Sequence, residues 1–502
     1  MLGSGKRRLR GQRIMPGILL LLLAAWLSMG LWQRYKPLPA GVGVAWPARP
    51  AENVRLLTDE TWYDADGQRH VDQAIFDEVL ALIGQARRLI VVDMFLFNDF
   101  AGSATGDDAR PLSRELTAAL IAQKRRYPEM TVRVITDPLN TLYGAQQPAH
   151  FARLRRAGVE LIITDLARLR ASNPLWSGLW HLGLNRLGND AGGGWLPNPL
   201  GHGQITLRSY LALANVRANH RKTLVVDDGD GWTGLVTSAN PHDASSRHDN
   251  VGLRFSGPAA LDLLASERLL AGWSSSGKAP DASAWPAASA KPARQAAPAT
   301  DSDGPRLRIL TEAAIRDAVL TRIKRAKRGE RLDIAMFYLS HRPLIAALKA
   351  ASARGVAVRV LLDPNRQAFG LAKSGVPNRP VAAELHAAGI DVRFCITRGE
   401  QCHTKLLLHR QAPSDPAARA AMILGSANYT RRNLDNLNLE TNVALAGRTD
   451  TPALAGAAAL FERQWRSPAE RRTSRPFLPE KAPGPVTYWR YRLMEATGLS
   501  SF

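Results

Sequence analysis

Two short stretches of this chain carry side chains suited to phosphate-ester chemistry. Asn219-His220-Arg221-Lys222-Thr223 is followed by Thr237-Ser238-Ala239-Asn240, and His403-Thr404-Lys405 is followed by Gly425-Ser426-Ala427-Asn428. Side chains alternate along a strand, so residues two apart share a face. His220 therefore points with Lys222, His403 with Lys405, Ser238 with Asn240, and Ser426 with Asn428. Each set offers an imidazole, an ammonium and an amide on one surface. Two such surfaces facing each other make a phosphate site. The lysines and asparagines hold the non-bridging oxygens, while the two histidines divide nucleophile and general-acid work. No metal-ligand cluster is needed, and neither a metal nor another cofactor is expected. A lone His-x-Lys means little, because short matches arise by chance. Two copies, each followed by Ser-x-Asn, argue against a pair of structural histidines in buried strands.

The elements that position these residues are themselves duplicated. Val54-Arg55-Leu56-Leu57-Thr58-Asp59 resembles Leu307-Arg308-Ile309-Leu310-Thr311-Glu312, and Met94-Phe95-Leu96-Phe97 answers Met336-Phe337-Tyr338-Leu339. Leu112, Leu116 and Leu120 in one half, and Leu344 and Leu348 in the other, have the spacing of core-facing helices. These lead to strands Val132-Arg133-Val134 and Val358-Arg359-Val360, which end in Asp137-Pro138 and Asp363-Pro364. Strands alternating with helices of this length predict two similar α/β domains. The first spans residues 50–273, with an insertion at about 165–215, and the second spans 305–470. An Ala-, Pro- and Ser-rich linker over 274–304 joins them, and 471–502 form a C-terminal tail.

The two motifs resemble the signature of the phospholipase D superfamily: His-x-Lys, an Asp after four intervening residues, then Gly/Ser-x-Asn. The resemblance covers residues 50 to 470 and is nearest to membrane-anchored bacterial members and cardiolipin synthases. It implies two phospholipase D-like α/β domains packed around one shared active site. It also implies that one histidine forms a covalent phosphohistidine while the other protonates the leaving alcohol, after which water or an alcohol releases the phosphoryl group. Glu440 resembles the family's downstream acidic residue that orients a histidine, and Asp249 is its counterpart in the first half. The chain departs from the signature at one place. Asp227 occupies the acidic position of the first motif, whereas Arg410 stands there in the second. Strand alternation puts both on the face opposite the histidines, so a structural role is expected for them.

Length and composition set the frame for that chemistry. The chain has 502 residues, 45% hydrophobic and 22% charged, with a formal net charge of +22. Those values exclude a small module, general disorder and a polytopic membrane protein, and the charge favours phosphate-bearing partners. Residues 14–32 are apolar and uncharged, long enough to span a bilayer, and follow five basic residues within positions 1–13. The positive-inside rule keeps that basic N-terminus cytoplasmic and the rest exported; a cleaved signal peptide is the alternative. With Cys395 and Cys402 alone, a disulfide framework and a four-cysteine zinc site are excluded, while a single bridge and two free thiols both stay open. Within the insertion, Leu175, Trp176, Leu179, Trp180, Leu184 and Leu187 recur at helical spacing. They suit either a core-packing cover helix or an interfacial helix at a lipid surface. The expected function is a membrane-anchored phosphodiesterase or phosphatidyltransferase acting on phospholipid, with an alcohol or second lipid as acceptor. A nuclease, with nucleic acid as partner, and a degenerate phosphate-binding protein are the alternatives. The sequence gives no oligomeric state.

Overall fold

The computed structural model describes residues 5–99, 109–199, 203–275, 304–368, 371–372, 374–412, 418–498, 500 and 502. Nearly all of the expected linker at 274–304 lies outside them. The strands of the first half are β1 (Arg49–Pro50), β2 (Glu52–Tyr63), β3 (Arg69–Gln73), β4 (Leu89–Met94), β5 (Thr131–Thr136), β6 (Glu160–Ile163), β7 (Lys222–Asp228), β8 (Gly231–Thr237) and β9 (Asn250–Ser256). Those of the second are β10 (Arg306–Thr311), β11 (Arg331–Met336), β12 (Ala357–Leu362), β13 (Asp391–Cys395), β14 (Lys405–Arg410), β15 (Arg419–Gly425), β16 (Thr441–Arg448) and β17 (Ser474–Pro476).

The first sheet runs β3-β2-β9-β8-β7-β4-β5-β6, and the second runs β1-β10-β16-β15-β14-β11-β12-β13-β17. From β2 to β6 and from β10 to β13 the two orders are the same, so the sequence repeat is a repeat of topology. Central strands such as β4 are buried along their whole length, as strands covered on both faces must be. Val225, Val236, Val251 and Leu253 of the first sheet share one buried cluster with Leu406, Leu408, Met422 and Leu424 of the second. The two sheets therefore pack on each other through a common apolar layer. Helices cover the outer faces. Leu116 and Leu120 of the helix Leu112–Arg126 lie against the first sheet, and Leu344 and Leu348 of the helix Arg342–Ala353 against the second.

Two boundaries differ from the expected ones, both because unpaired sheet edges recruit nearby chain. The segment before residue 50 belongs with the second sheet, where β1 pairs with β10 and Trp46 N–H bonds Ile309 O at 3.0 Å. The expected tail likewise contributes β17, antiparallel to β13. Buried Cys395 and Cys402 are joined by a disulfide, which ties the end of β13 to the turn before His403.

Outside the sheets, helix α1 (Gly5–Tyr35) contains a span, Met15–Tyr35, long and apolar enough to cross a membrane, with almost none of that span buried. Helix α2 (Pro174–Leu182) lies in the insertion, and helix α3 (Pro485–Thr497) lies near the C-terminus. Of the two tryptophans that made α2 a candidate for lipid contact, Trp180 is buried. Trp176 is half-buried, with its Nε1–H on Leu211 O at 3.0 Å. The interfacial reading fails for this pair, since an indole that has found a carbonyl and a packed wall is a core side chain. The outward face of α2 carries leucines instead.

Candidate active site

The two motifs meet at the starts of β7 and β14, and each is clamped by the other half. His220 N–H donates to Leu439 O and His403 N–H to Asp249 O, both at 2.9 Å. Each histidine is thus held by the segment that follows the opposite half's Ser-x-Asn. Lys222 Nζ bonds the carbonyl of His220 at 2.7 Å, and Lys405 Nζ bonds that of His403 at 2.9 Å. Phe95 and Phe337, equivalent in the repeat, pack on the two imidazoles with ring centroids 4.7 and 5.0 Å away. Their ring faces also receive the two lysine ammoniums at 5.0 and 5.3 Å. The repeated Met-Phe pair was the sequence signal for these rings, although it marked the repeat without disclosing a role.

Behind the histidines the halves differ. His220 Nδ1 lies 2.9 Å from Glu440 Oε1, and Glu440 also bonds the Ser426 hydroxyl and the Asn433 amide. His403 Nδ1 lies 3.0 Å from Asn250 Oδ1, which also accepts from the Ser238 hydroxyl at 3.0 Å. Ser238 and Ser426 therefore support the groups that hold the histidines. Asn250, not Asp249, is the counterpart of Glu440. The Asp249 carboxylate accepts Thr61 N–H at 2.6 Å, and only its main chain touches the His403 motif. The first-half segment is shorter and ends in an amide, so a search for an acid stops one residue early. Asn240 Oδ1 accepts Leu96 N–H at 3.3 Å, whereas Asn428 Oδ1 is buried with no hydrogen-bond partner among the described residues. A buried amide left unpaired is costly unless a ligand completes it.

Asp227 and Arg410 lie at the far ends of their strands, about 23 Å from the histidines at ~3.3 Å per residue. Asp227 accepts the N–H groups of Arg88 and Leu89, both at 2.8 Å, and so fixes the entry to β4. Arg410 pairs with buried Asp333 at 2.7 Å and with Glu462 at 3.2 Å. Arg410→Asp should therefore cost about 2 kcal/mol or more of stability by placing a third carboxylate in that cluster. Thermal unfolding reads that loss. Turnover of the folded fraction should stay within about twofold, the ordinary scatter of a remote surface change.

Arg221, between His220 and Lys222, is buried with Glu312 at 3.0 Å and Glu267 at 3.6 Å. Glu312 also accepts Glu440 N–H at 3.0 Å. A first-half guanidinium and a second-half carboxylate thus hold the backbone of the residue that faces His220. Polar alternation alone gives no hint of a buried ion pair between domains.

Burial dominates the site's electrostatics. It lowers His220 to about 4, with Glu440 opposing and Lys222 assisting. It holds His403 well below its usual value, helped by Lys405, His248, Lys222 and His220. Lys222 falls to about 7, against the pull of Glu440, and Lys405 falls well below its ordinary range. Burial pushes the Glu440 carboxyl up, but His220, Lys222 and Ser426 outweigh it, leaving the group below the usual carboxylate value. Burial thus disfavours positive charge on both imidazoles and both ammoniums, and an incoming phosphate anion offsets that penalty.

Sheets of eight and nine strands that share a run of seven in the same order, and meet at paired His-x-Lys motifs, define a phospholipase D-type fold. Residues 319–465 match the family described as cardiolipin synthase, PLD-like domain. The second half thus carries a phospholipase D-like domain of the cardiolipin synthase kind. Phosphatidylserine synthase from Haemophilus influenzae Rd KW20 has the same fold. It is 12% identical, with a TM-score of 0.55 over 90% of this chain and 96% of that one. A polyphosphate kinase from Porphyromonas gingivalis is 16% identical over 89% of this chain, with a TM-score of 0.45, and the chain spans about half (53%) of its length. Nuc, a phospholipase D family member from Salmonella typhimurium, is 18% identical over 34% of this chain and 97% of its own, with a TM-score of 0.26. No curated protein matches the chain.

Proposed function

We propose that the chain is a membrane-anchored phosphatidyltransferase or phosphodiesterase that acts on phospholipids through a covalent phosphohistidine, its catalytic halves on the exported side of α1. The observation that carries this reading is the meeting of the two histidine-lysine pairs, each imidazole oriented by a residue from the opposite half. Lys222 and Lys405 take the non-bridging oxygens, and Asn240 and Asn428 complete that contact. Asn428 arrives with an unpaired amide oxygen, which a rotated amide trades for N–H donation to phosphate.

In this mechanism His220 Nε2 attacks phosphorus as the bond to the leaving alcohol breaks, and that oxygen takes a proton from His403. The acceptor, water or an alcohol, then gives its proton to His403 while its oxygen attacks phosphorus. The phosphorus–nitrogen bond breaks and both histidines return to their starting states. The nucleophile is assigned to His220 because its phosphorylated ring is cationic and Glu440 supplies the matching carboxylate, whereas His403 faces only an amide. Product analysis after incubation with phosphatidylglycerol vesicles, and separately with DNA, tests the substrate class. Released headgroup or a new phosphatidyl product, with DNA intact, is expected. Cut DNA beside untouched lipid overturns the proposal in favour of a nuclease, and no turnover of either overturns it in favour of a binding protein.

The acid role of His403 has its own signature. A general acid must be protonated, so activity falls as pH rises through its pKa in the complex. Asn250→Asp puts a carboxylate on Nδ1 and raises that pKa by about one to three units. The alkaline limb of the kcat profile should move upward accordingly. A limb that stays in place or moves down removes the acid from His403.

A further inference from the structure

Helix α2 does more than cover the core, because it lies along the anchor. Trp26 Nε1–H donates to Leu175 O at 2.7 Å, and Gly178 crosses α1 so closely that a Cβ there would sit 2.8 Å from Trp26 O. Past the crossing, Ala171 N–H bonds Gln33 O at 2.8 Å and Arg170 Nε bonds Lys36 O at 3.0 Å. Trp26 precedes Tyr35 by about 14 Å at ~1.5 Å per residue. If Met15–Tyr35 spans the bilayer, as the proposed function holds, α2 sits within the exported leaflet. Its outward Leu175, Leu179 and Leu182 are 57%, 42% and 40% exposed.

The inward side of α2 roofs a cavity of about 610 Å³ that contains neither catalytic histidine nor lysine. Trp180 and His181 form its roof, and Arg155, Arg208 and Arg217 line it. Its single lining carboxylate, Asp165, already bonds Arg168 at 3.3 Å and Ala167 N–H at 3.0 Å. Arg217 is buried and bonds Leu166 O at 3.2 Å, Leu169 O at 2.8 Å, and Asn215 Oδ1 and His181 Nε2 at 3.3 Å each. Among the described residues it has no ion-paired carboxylate. Asp165 acts on this buried guanidinium only through space, without an ion-pair contact; a guanidinium so weakly compensated is expensive to bury, and a bound anion lowers that cost. The neighbouring titratable groups register the same field. Burial and then Arg217 lower Lys36 to about 8 and His181 to about 4. Lys36 caps the anchor and bonds Ala167 O, itself part of the lining, so the cavity lies at the level where lipid phosphates begin.

We propose that this cavity is a second anion site, one that takes the phosphate of a bilayer phospholipid while the lipid's chains lie against the leucines of α2. Charge sets its ligand class, a phosphate ester, and the position beside the anchor favours a lipid-borne one. The site leaves a second lipid near the histidine pair and independent of it.

Native mass spectrometry of the full chain in detergent counts bound ligand, with His220→Ala/His403→Ala as the background so that nothing turns over. Dihexanoylphosphatidylglycerol is the lipid probe and glycerol 3-phosphate the soluble one. Two lipids per chain are expected. Arg155→Ala/Arg208→Ala at the cavity rim should weaken one of them at least tenfold. Lys222→Met/Lys405→Met should weaken the other. A rim variant that keeps both lipids at parental affinity overturns the proposal. Arg217→Gln gives an independent reading if the rim variant fails to fold, with retained binding again overturning it. If only the lysine variant has no effect, the lipid reading of the catalytic site fails while the cavity stands. Equal occupancy of the cavity by glycerol 3-phosphate assigns it to free phosphate esters and removes the lipid-borne preference.

Discussion

His220→Ala and His403→Ala are each expected to lower turnover of a natural phospholipid by about a thousandfold or more, since in the proposed mechanism His220 attacks phosphorus and His403 protonates the leaving oxygen. A substrate that needs no acid separates them. With a p-nitrophenyl ester of a phosphatidyl group the departing phenolate leaves unprotonated, so His403→Ala should recover much of its first step and His220→Ala none. In His403→Ala the second step also lacks its base, so phosphoryl-enzyme should accumulate on His220 and be mapped there by mass spectrometry. Wild-type rates in either variant exclude a paired site. A label on His403 reverses the assignment.

Much of this site was legible because strand geometry is simple. His220 and His403 stand two residues before β7 and β14, and alternation carried back from Lys222 and Lys405 along extended chain gives each pair a common face, while the internal repeat supplies the second copy. The same rule placed Asp227 and Arg410 away from the chemistry, and both are found holding the far ends of their strands. Alternation is silent about what arrives from another segment. Asn250 meets His403 across the interface, and the amide chemistry hid it from a search for acids. Arg221, between His220 and Lys222, is buried and pairs with Glu312 of the other half.

The insertion shows a further limit. Helical periodicity put Leu175, Trp176, Leu179 and Trp180 on one helix but carried it on through Leu184 and Leu187, which lie beyond the end of α2 at Leu182; two apolar faces also compete for that helix, and composition cannot say which is covered. The indoles found partners inside, at Leu211 O and beside Arg208, while the leucines were left outside next to α1. Small residues at the crossing, Gly30 and Gly178, decide this orientation by letting the two backbones approach. That pairing links residues nearly 150 positions apart, beyond the reach of a local pattern.

The difference between the two halves is sharpest at Glu440, and Glu440→Gln is expected to lower kcat by about a hundredfold or more. The amide keeps some hydrogen bonding to Ser426 and Asn433 but removes the negative charge facing His220. A cationic phosphohistidine then forms without its counter-ion. The charge has a second effect. Glu440 raises Lys222 against the depression caused by burial, and the balance stands at about 7. Without the carboxylate, the lysine loses its proton at a lower pH, and less of it is charged under neutral conditions. Activity of Glu440→Gln should therefore recover in part as the pH falls well below 7, where Lys222 regains its proton, whereas wild type, with Lys222 at about 7, gains only about twofold and levels off at a higher pH than the variant. A merely structural loss would lower the melting temperature and scale the rate equally at every pH. An unchanged pH profile with a lowered melting temperature would remove Glu440 from the charge balance and leave it as a packing residue.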